Sequence, residues 1–320
     1  MKKICIVLLV ILACVLSSCG KEIKSVSKSA ASITYEVFDD TGRKLTFNKK
    51  PERIVSLTYG TDEILTELVD LKRMVAFSRW AGDSEISFIT KEQAFAVGCK
   101  VADNLEAILK LEPDLVVASV ATSNDVVQSL ENIGIPVYIV RSPHNYQEMC
   151  AKIKNLAAAV GESKKGDVII KNMDNRLHNL EVKLSHLPSY QRKVAVAFNF
   201  TSAMGRKGDL LDSILTMAHV INGAAAVTPP VSEHKSVVIS KEMVVTINPD
   251  IFLLPTWNYN NKQDVQGYYY EIMNDPAYKN VKAVQNRQLK FVSDKYRYVA
   301  SQHIVDAVEK IARTVYPELF

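Results

Sequence analysis

Both tryptophans, several tyrosines and several arginines of this chain fall just after short β-rich runs. Thr58, Tyr59 and Gly60 follow residues 53–57, and Ser78, Arg79 and Trp80 follow 74–77. Ala121 and Thr122 come after 114–118, and Arg141, Ser142 and His144 after 136–140. Further on, Phe200, Met204, Arg206 and Lys207 follow 193–198, Trp257 and Tyr259 follow 250–254, and residues 294–298 follow 289–292. In α/β sheets, ligands bind beyond the carboxyl ends of parallel strands, where such loops converge. Aromatic faces beside guanidinium groups suit a large, flat or catecholate-like ligand bearing acidic groups. The candidate contacts are therefore Tyr59, Arg79, Trp80, Thr122, Arg141, His144, Phe200, Arg206, Trp257, Tyr259, Tyr296, Arg297 and Tyr298, with Met204 read as packing. No GxSxG elbow, and no carboxylate pair or His–Asp arrangement at strand ends, speaks for catalysis. No CxxC, HExxH or His-rich tract offers a resident metal site, and no cofactor is expected. Binding without turnover is the expectation. A secreted α/β hydrolase is the remote alternative, and a surface adhesin would need a broad exposed patch instead of a cleft.

The elements that must position these residues follow from hydrophobic periodicity. Residues 34–38 and 44–47 alternate around the turn residues 39–42 and predict a hairpin. Strands at 53–57, 74–77, 114–118 and 136–140 then alternate with helices at 62–71, 104–111 and 125–133, which implies a parallel sheet with covering helices. Tyr146, Met149, Ile153, Leu156 and Val160 form one helical stripe that stops at Gly161. A second stripe, Ile170, Met173, Leu177, Leu180, Leu184 and Leu187, predicts a helix over 163–187, closed by Pro188. Its roughly 37 Å exceeds what one sheet needs to be covered, so it reads as a strut. The alternation restarts with strands at 193–198, 250–254 and 289–292 and helices at 210–218 and 301–316. The expected fold is α/β, with two Rossmann-like lobes at 33–162 and 189–320, an inter-lobe helix at 163–188, and a ligand cleft between the lobes.

An internal echo links the two series. Residues 104–115 and 240–251 place apolar, Pro and Asp positions in the same order, and Glu106 and Glu242 match. Each unit opens on a good N-cap, Asn104 or Ser240, with the glutamate at the second helical position, where the helix dipole favours a carboxylate. Two matched outward carboxylates would also make a symmetric pair of docking posts.

The amino-terminal end sets the compartment. Lys2 and Lys3 precede an apolar run over 4–16, too short for the roughly 20 residues that cross a bilayer, and Ser17, Ser18 and Cys19 follow. Residues 1–18 read as a secretory signal, and the segment around Cys19 looks like the lipobox of bacterial lipoproteins, which implies lipidation of Cys19. The Lys- and Ser-rich stretch 20–32 reads as a solvated tether, so the chain is anchored to a membrane without spanning it. Losing Lys2 and Lys3 from 39 basic residues brings them near balance with the 35 acidic ones, which argues against a nucleic-acid partner. Beyond the signal and Cys19, only Cys99 and Cys150 remain, expected as two separate, mostly buried thiols.

Residues 51–57, 63–65, 104–115 and 130–136, with 238–242, 248–250 and 283–287, closely resemble the iron-siderophore, haem and cobalamin class of periplasmic binding proteins. The likeness runs from about residue 33 to 320 and rests on the order and spacing of motifs. It implies two lobes joined by one long helix, and a partner in the permease of an ABC importer with its cytoplasmic ATPase. Glu106 and Glu242 match the family's glutamates that engage permease arginines. The resemblance further implies an extracytoplasmic, monomeric carrier of a metal chelate. A ferric siderophore or haem ranks first, and a corrinoid second because an aromatic residue in cobalamin binders matches Trp80. For haem, Tyr59, His144, Tyr296 or Tyr298 would be the axial candidates. One departure is Ser301-Gln302-His303, where the family often carries Ser-Pro-Arg, so the terminal loop is expected to meet its ligand differently.

Overall fold

The computed structural model describes residues 34–233, 238–259 and 262–320. The expected signal, lipidated Cys19 and tether lie outside the described residues.

In chain order the first half runs β1 (Tyr35–Phe38), β2 (Lys44–Phe47), β3 (Ile54–Ser56), α1 (Tyr59–Leu68), β4 (Met74–Ser78), α2 (Lys91–Val97) and β5 (Lys100–Val101). It continues with α3 (Leu105–Leu109), β6 (Leu115–Ser119), α4 (Asn124–Asn132), β7 (Val137–Val140) and α5 (Tyr146–Ala159). Then comes α6 (Ser163–Leu184). The second half holds β8 (Val194–Phe198), β9 (Ala203–Met204), α7 (Leu210–Met217), β10 (Ile221–Asn222), α8 (Lys241–Ile247) and β11 (Ile251–Leu254). It ends with α9 (Val265–Asn274), α10 (Lys282–Gln285), β12 (Leu289–Phe291), α11 (Asp294–Arg297) and α12 (Ile304–Val315).

Among the described residues β1 and β2 pair as the expected hairpin, with Tyr35 opposite Phe47. The other strands form two separate sheets. The first, in the order β5-β4-β3-β6-β7, is parallel throughout. The second, β10-β8-β11-β12, is also parallel, with β9 added antiparallel to β8. Parallel strands are covered on both faces and so read as continuous apolar runs; Leu115, Val116, Val117 and Ala118 of β6 are all fully buried.

The chain passes from one sheet to the other once, and α6 lies on that passage. It is about 33 Å long and ends at Leu184 rather than at the expected Leu187. Met173, Leu180 and Leu184 are buried on its apolar stripe, and it packs against α1 and α5 on one side and α12 on the other. Gly166 sits in this helix because a Cβ there would come within 2.6 Å of Ala157 in α5. Arg176 adds an ion pair to Asp306 of α12 at 2.7 Å. One apolar cluster runs from Ile64 and Leu65 of α1 through α6 to Ile304, Val308 and Ile311 of α12, so both halves share core on this side.

Three expected boundaries shift with consequences for the site. α1 starts at Tyr59, because the Thr58 side chain accepts from Thr61 N as an N-cap, and so Tyr59 and Gly60 stand on a helix. Residues 294–297 form the helical turn α11, and α12 begins at Ile304 instead of 301. The short elements α2, β5, β9, β10 and α10, and the ten-residue α9, are additional; each is too brief or too weakly periodic to announce itself. Cys99 and Cys150 are free thiols as expected, though half-buried rather than mostly buried.

Candidate functional site

The loops beyond the carboxyl ends of both sheets enclose a chamber of about 340 Å³. Tyr59, Trp80 and Ile86 line it from the first half, and Asn199, Phe200, Pro255, Trp257, Asp294 and Tyr298 from the second. The Trp80 ring meets Trp257 edge-on at 5.2 Å and Tyr259 at 5.3 Å, while Trp257 and Tyr259 lie 5.4 Å apart. Such edge-to-face packing is favourable and selects its own geometry. Polar contacts hold the same edge together. Trp257 Nε1 donates to Asp83 Oδ2 at 3.0 Å, the Thr256 hydroxyl to Glu85, and Lys295 N to Glu85 O at 2.7 Å. The Tyr59 hydroxyl donates to Tyr298 O at 2.7 Å.

Asp294 organises the far wall. Its Oδ2 accepts from the backbone of Thr256 at 2.9 Å and of Trp257 at 2.8 Å, which fixes the strand-end loop carrying Trp257. Its Oδ1 pairs with Arg297, whose guanidinium also donates to Phe198 O. Beside the chamber, across the Trp80 ring, a smaller pocket of about 160 Å³ is lined by Arg79, Asp103, Ser119 and Thr122 among others. The Arg79 guanidinium stacks 4.3 Å from the centre of that ring.

Of the candidate contacts, the fold brings together Tyr59, Trp80, Phe200, Trp257 and Tyr298 on the chamber wall. Tyr259 packs against both tryptophans, and Arg79 and Thr122 line the side pocket. Other candidates make contacts elsewhere among the described residues. Arg141 binds Asp40 through its Nε and backbone N–H, each at 2.9 Å. His144 is exposed and lies 3.0 Å from Glu148. Arg206 caps the carbonyl of Pro230 at 2.9 Å. Tyr296 packs edge-on against Phe88, and Arg297 is buried behind the wall. As an axial candidate, Tyr59 already donates its hydroxyl hydrogen bond to the Tyr298 carbonyl, and burial pushes its hydroxyl far above the ordinary range. The Tyr298 hydroxyl faces Met204 Sδ at 3.6 Å. Among the described residues no group of three His, Cys, Asp or Glu side chains is placed to hold a metal ion.

Sequence reading missed Asp83 and Glu85 because they sit in a turn-rich stretch without periodicity. Their proximity to Trp257 and Thr256 exists only across the two halves. The role of Asp294 was equally hidden, although its position three residues before Arg297 on a helical turn is a detectable pairing.

At the rear of the same gap, the loop between α11 and α12 inserts against α1. Glu63 is buried; its Oε1 accepts from Phe88 N at 2.9 Å and its Oε2 from the Ser301 hydroxyl. Gln302 Nε2 donates to Glu63 O at 2.9 Å. Burial raises the Glu63 carboxyl above the usual range against the pull of these donors. Lys152 of α5 donates to Ala300 O at 3.1 Å, and burial lowers its ammonium to about 8. Gly60 meets Ala300 so closely that a Cβ would stand 2.6 Å from its carbonyl oxygen. Ser301-Gln302-His303 therefore fastens the rear of the gap instead of reaching into the chamber.

A family profile described as periplasmic binding protein matches residues 54–296, which contain both sheets. The chain belongs to the periplasmic binding protein family. It is 25% identical over 88% of its length to a probable siderophore-binding lipoprotein, YfiY, of Bacillus subtilis, 87% of which is covered. It is 22% identical to the Fe(3+)-citrate-binding protein YfmC of the same organism, over 90% of this chain and 88% of that one. Its fold is similar to that of the apo periplasmic heme-binding protein RhuT from Roseiflexus, with a TM-score of 0.69 at 18% identity, covering 84% of this chain and 99% of that one. The structural likeness agrees with the two-sheet architecture.

In this periplasmic binding protein the echoed glutamates take equivalent local positions. Glu106 is the second residue of α3, capped by Asn104, and Glu242 the second of α8, capped by Ser240. Both side chains are exposed. The Ser240 hydroxyl holds the Glu242 carboxyl below its ordinary range. No helix among the described residues is long and apolar enough to cross a membrane.

Proposed function

We propose that this protein is the extracytoplasmic, lipid-anchored solute-binding component of an ABC importer, and that it captures an iron chelate between its halves. The observation that carries this reading is the aromatic chamber between two parallel sheets, built from strand-end loops of both halves. Its volume of about 340 Å³ suits a compact small molecule, and its rings offer flat contact area. Relatives described as binding a siderophore and Fe(3+)-citrate support the same ligand class. Lipidation of Cys19 would hold the protein at the outer face of the cell membrane, with residues 20–32 as tether.

Delivery uses Glu106 and Glu242 as two docking posts for permease arginines, one on each half. α6 and the shared core limit how far the halves separate, so release follows a small opening of the chamber edge. The test is uptake of radioactive iron by cells carrying the double substitution Glu106→Ala, Glu242→Ala. Uptake is expected to fall to background while chelate affinity of the purified full-length chain stays unchanged. Unimpaired uptake overturns the docking assignment. Failure of that full-length chain, purified in detergent, to bind ferric siderophores or haem overturns the ligand class.

A further inference from the structure

Resting on the reading that the ligand is a metal chelate, the charge inventory of the chamber narrows which chelates fit. Among the described residues lining it, the ionisable groups are two phenols and one carboxylate, Asp294, and no ammonium or guanidinium is aimed into it. The cations nearby have other partners. Arg297 is buried against Asp294 and Phe198 O, Arg206 is turned to the Pro230 carbonyl, and Arg141 to Asp40. Lys295 directs its ammonium over the rings of Phe88 and Tyr296. The closing edge is acidic, with Asp83 and Glu85 bound to Trp257 and Thr256. Among the described residues, Arg79 is a cation beside the opening, and it lies across the Trp80 ring in the side pocket.

We infer that the chamber selects a neutral or singly charged chelate and rejects a triply negative one. A multiply anionic complex entering this space would lose its hydration and meet aromatic faces and carboxylates of like sign, without counter-charges to replace the water. The carboxylates of Asp83 and Glu85 beside the rings favour approach of a cation and oppose approach of an anion. A single carboxylate arm still has one partner, because Arg79 can meet it from the side pocket while the body of the chelate fills the chamber. Ferric trihydroxamates and mixed hydroxamate–carboxylate chelates have this character; ferric tris-catecholates do not.

The experiment titrates the full-length chain, purified in detergent, with three ferric complexes and follows quenching of Trp80 and Trp257 fluorescence. The complexes are a cationic linear trihydroxamate, a neutral cyclic trihydroxamate and a triply negative tris-catecholate. At least one trihydroxamate is expected to bind about a hundredfold more tightly than the tris-catecholate. A tris-catecholate affinity equal to or above both trihydroxamates overturns the inference and leaves the iron-chelate reading intact. Binding of haem with no ferric siderophore complex binding overturns the inference and leaves the iron-chelate reading intact, whereas binding of a corrinoid alone overturns both. The substitution Phe200→Arg supplies the missing cation on the chamber wall. It is expected to raise tris-catecholate affinity at least about tenfold and to lower that of the cationic complex. If neither affinity moves, charge is not what the chamber reads.

Discussion

The front and the rear of the gap hold the two halves together by different means. At the front, Trp80 meets Trp257 and Tyr259 edge-on, and a few carboxylate bonds from Asp83 and Glu85 cross beside them. At the rear, a loop of the second half is wedged against α1, with a backbone approach at Gly60 that admits no side chain and a buried carboxylate, Glu63, bonded from both sides. Ring edges separate at the cost of modest contact energy and gain hydration for their N–H and carboxylate groups. A buried carboxylate stripped of its donors has no such compensation. On the proposed reading, the contrast assigns opening to the front, with the rear and α6 as the fixed side. Helix α1 joins the two regions, because it presents Tyr59 to the chamber and Glu63 to the rear.

The sharpest way to break this contrast is at the rear. Gly60→Val is expected to destabilise the protein by about 3 kcal/mol, since backbone rather than a flexible side chain must yield; chemical denaturation measures it. A wild-type-like midpoint would mean that the rear is not tightly packed.

A second test uses pH. Burial pushes the Asp62 carboxyl up to about 7, although Ser78 donates to it through both N and Oγ. Its folded value lies above its unfolded one. The contribution is therefore full below about pH 4 and is lost as pH rises through about 7, at roughly 2 kcal/mol or more. Glu63 is shifted in the same direction. Asp62→Asn is expected to flatten this loss, read from denaturation midpoints between pH 4 and 8. An unchanged slope would remove Asp62 from the account.

Ser301→Ala sharpens the rear further. It leaves one Glu63 oxygen without its donor and is expected to cost about 1–2 kcal/mol, with chelate affinity nearly unchanged because Ser301 does not line the chamber. A large loss of affinity would show that front and rear are coupled. The smallest effect belongs to the front: Asp83→Asn weakens one bond to Trp257 Nε1 and is expected to change stability by about 0.5–1 kcal/mol. It should speed ligand release in stopped-flow fluorescence. Slower release would reverse the assignment of the front as the opening side.

Much of this was legible beforehand. The alternation of apolar runs located the main strands of both sheets, because a parallel strand covered on both faces leaves an unbroken hydrophobic signature. Both tryptophans were placed at the chamber by a rule that needs only strand order. For the arginines, the same rule places a residue near a rim without fixing its rotamer. Arg297 follows Asp294 by three residues, and once these form a helical turn the pair closes on itself inside the wall. Asp83 and Glu85 carried no pattern, since their partners Trp257 and Thr256 are more than half the chain away.

The sequence by itself determined the two α/β series, the long helix between them, the matched capped glutamates and the membership of both tryptophans in one rim. All of these depend on local periodicity or on capping chemistry within a few residues. The tertiary structure alone decided which polar groups remain open to a ligand and which are already partnered. Glu63 with Ser301, Trp257 with Asp83 and Arg141 with Asp40 are pairs set by how the chain folds back on itself. A charged side chain takes the nearest partner that replaces its lost water, and that partner is fixed only when distant segments have packed.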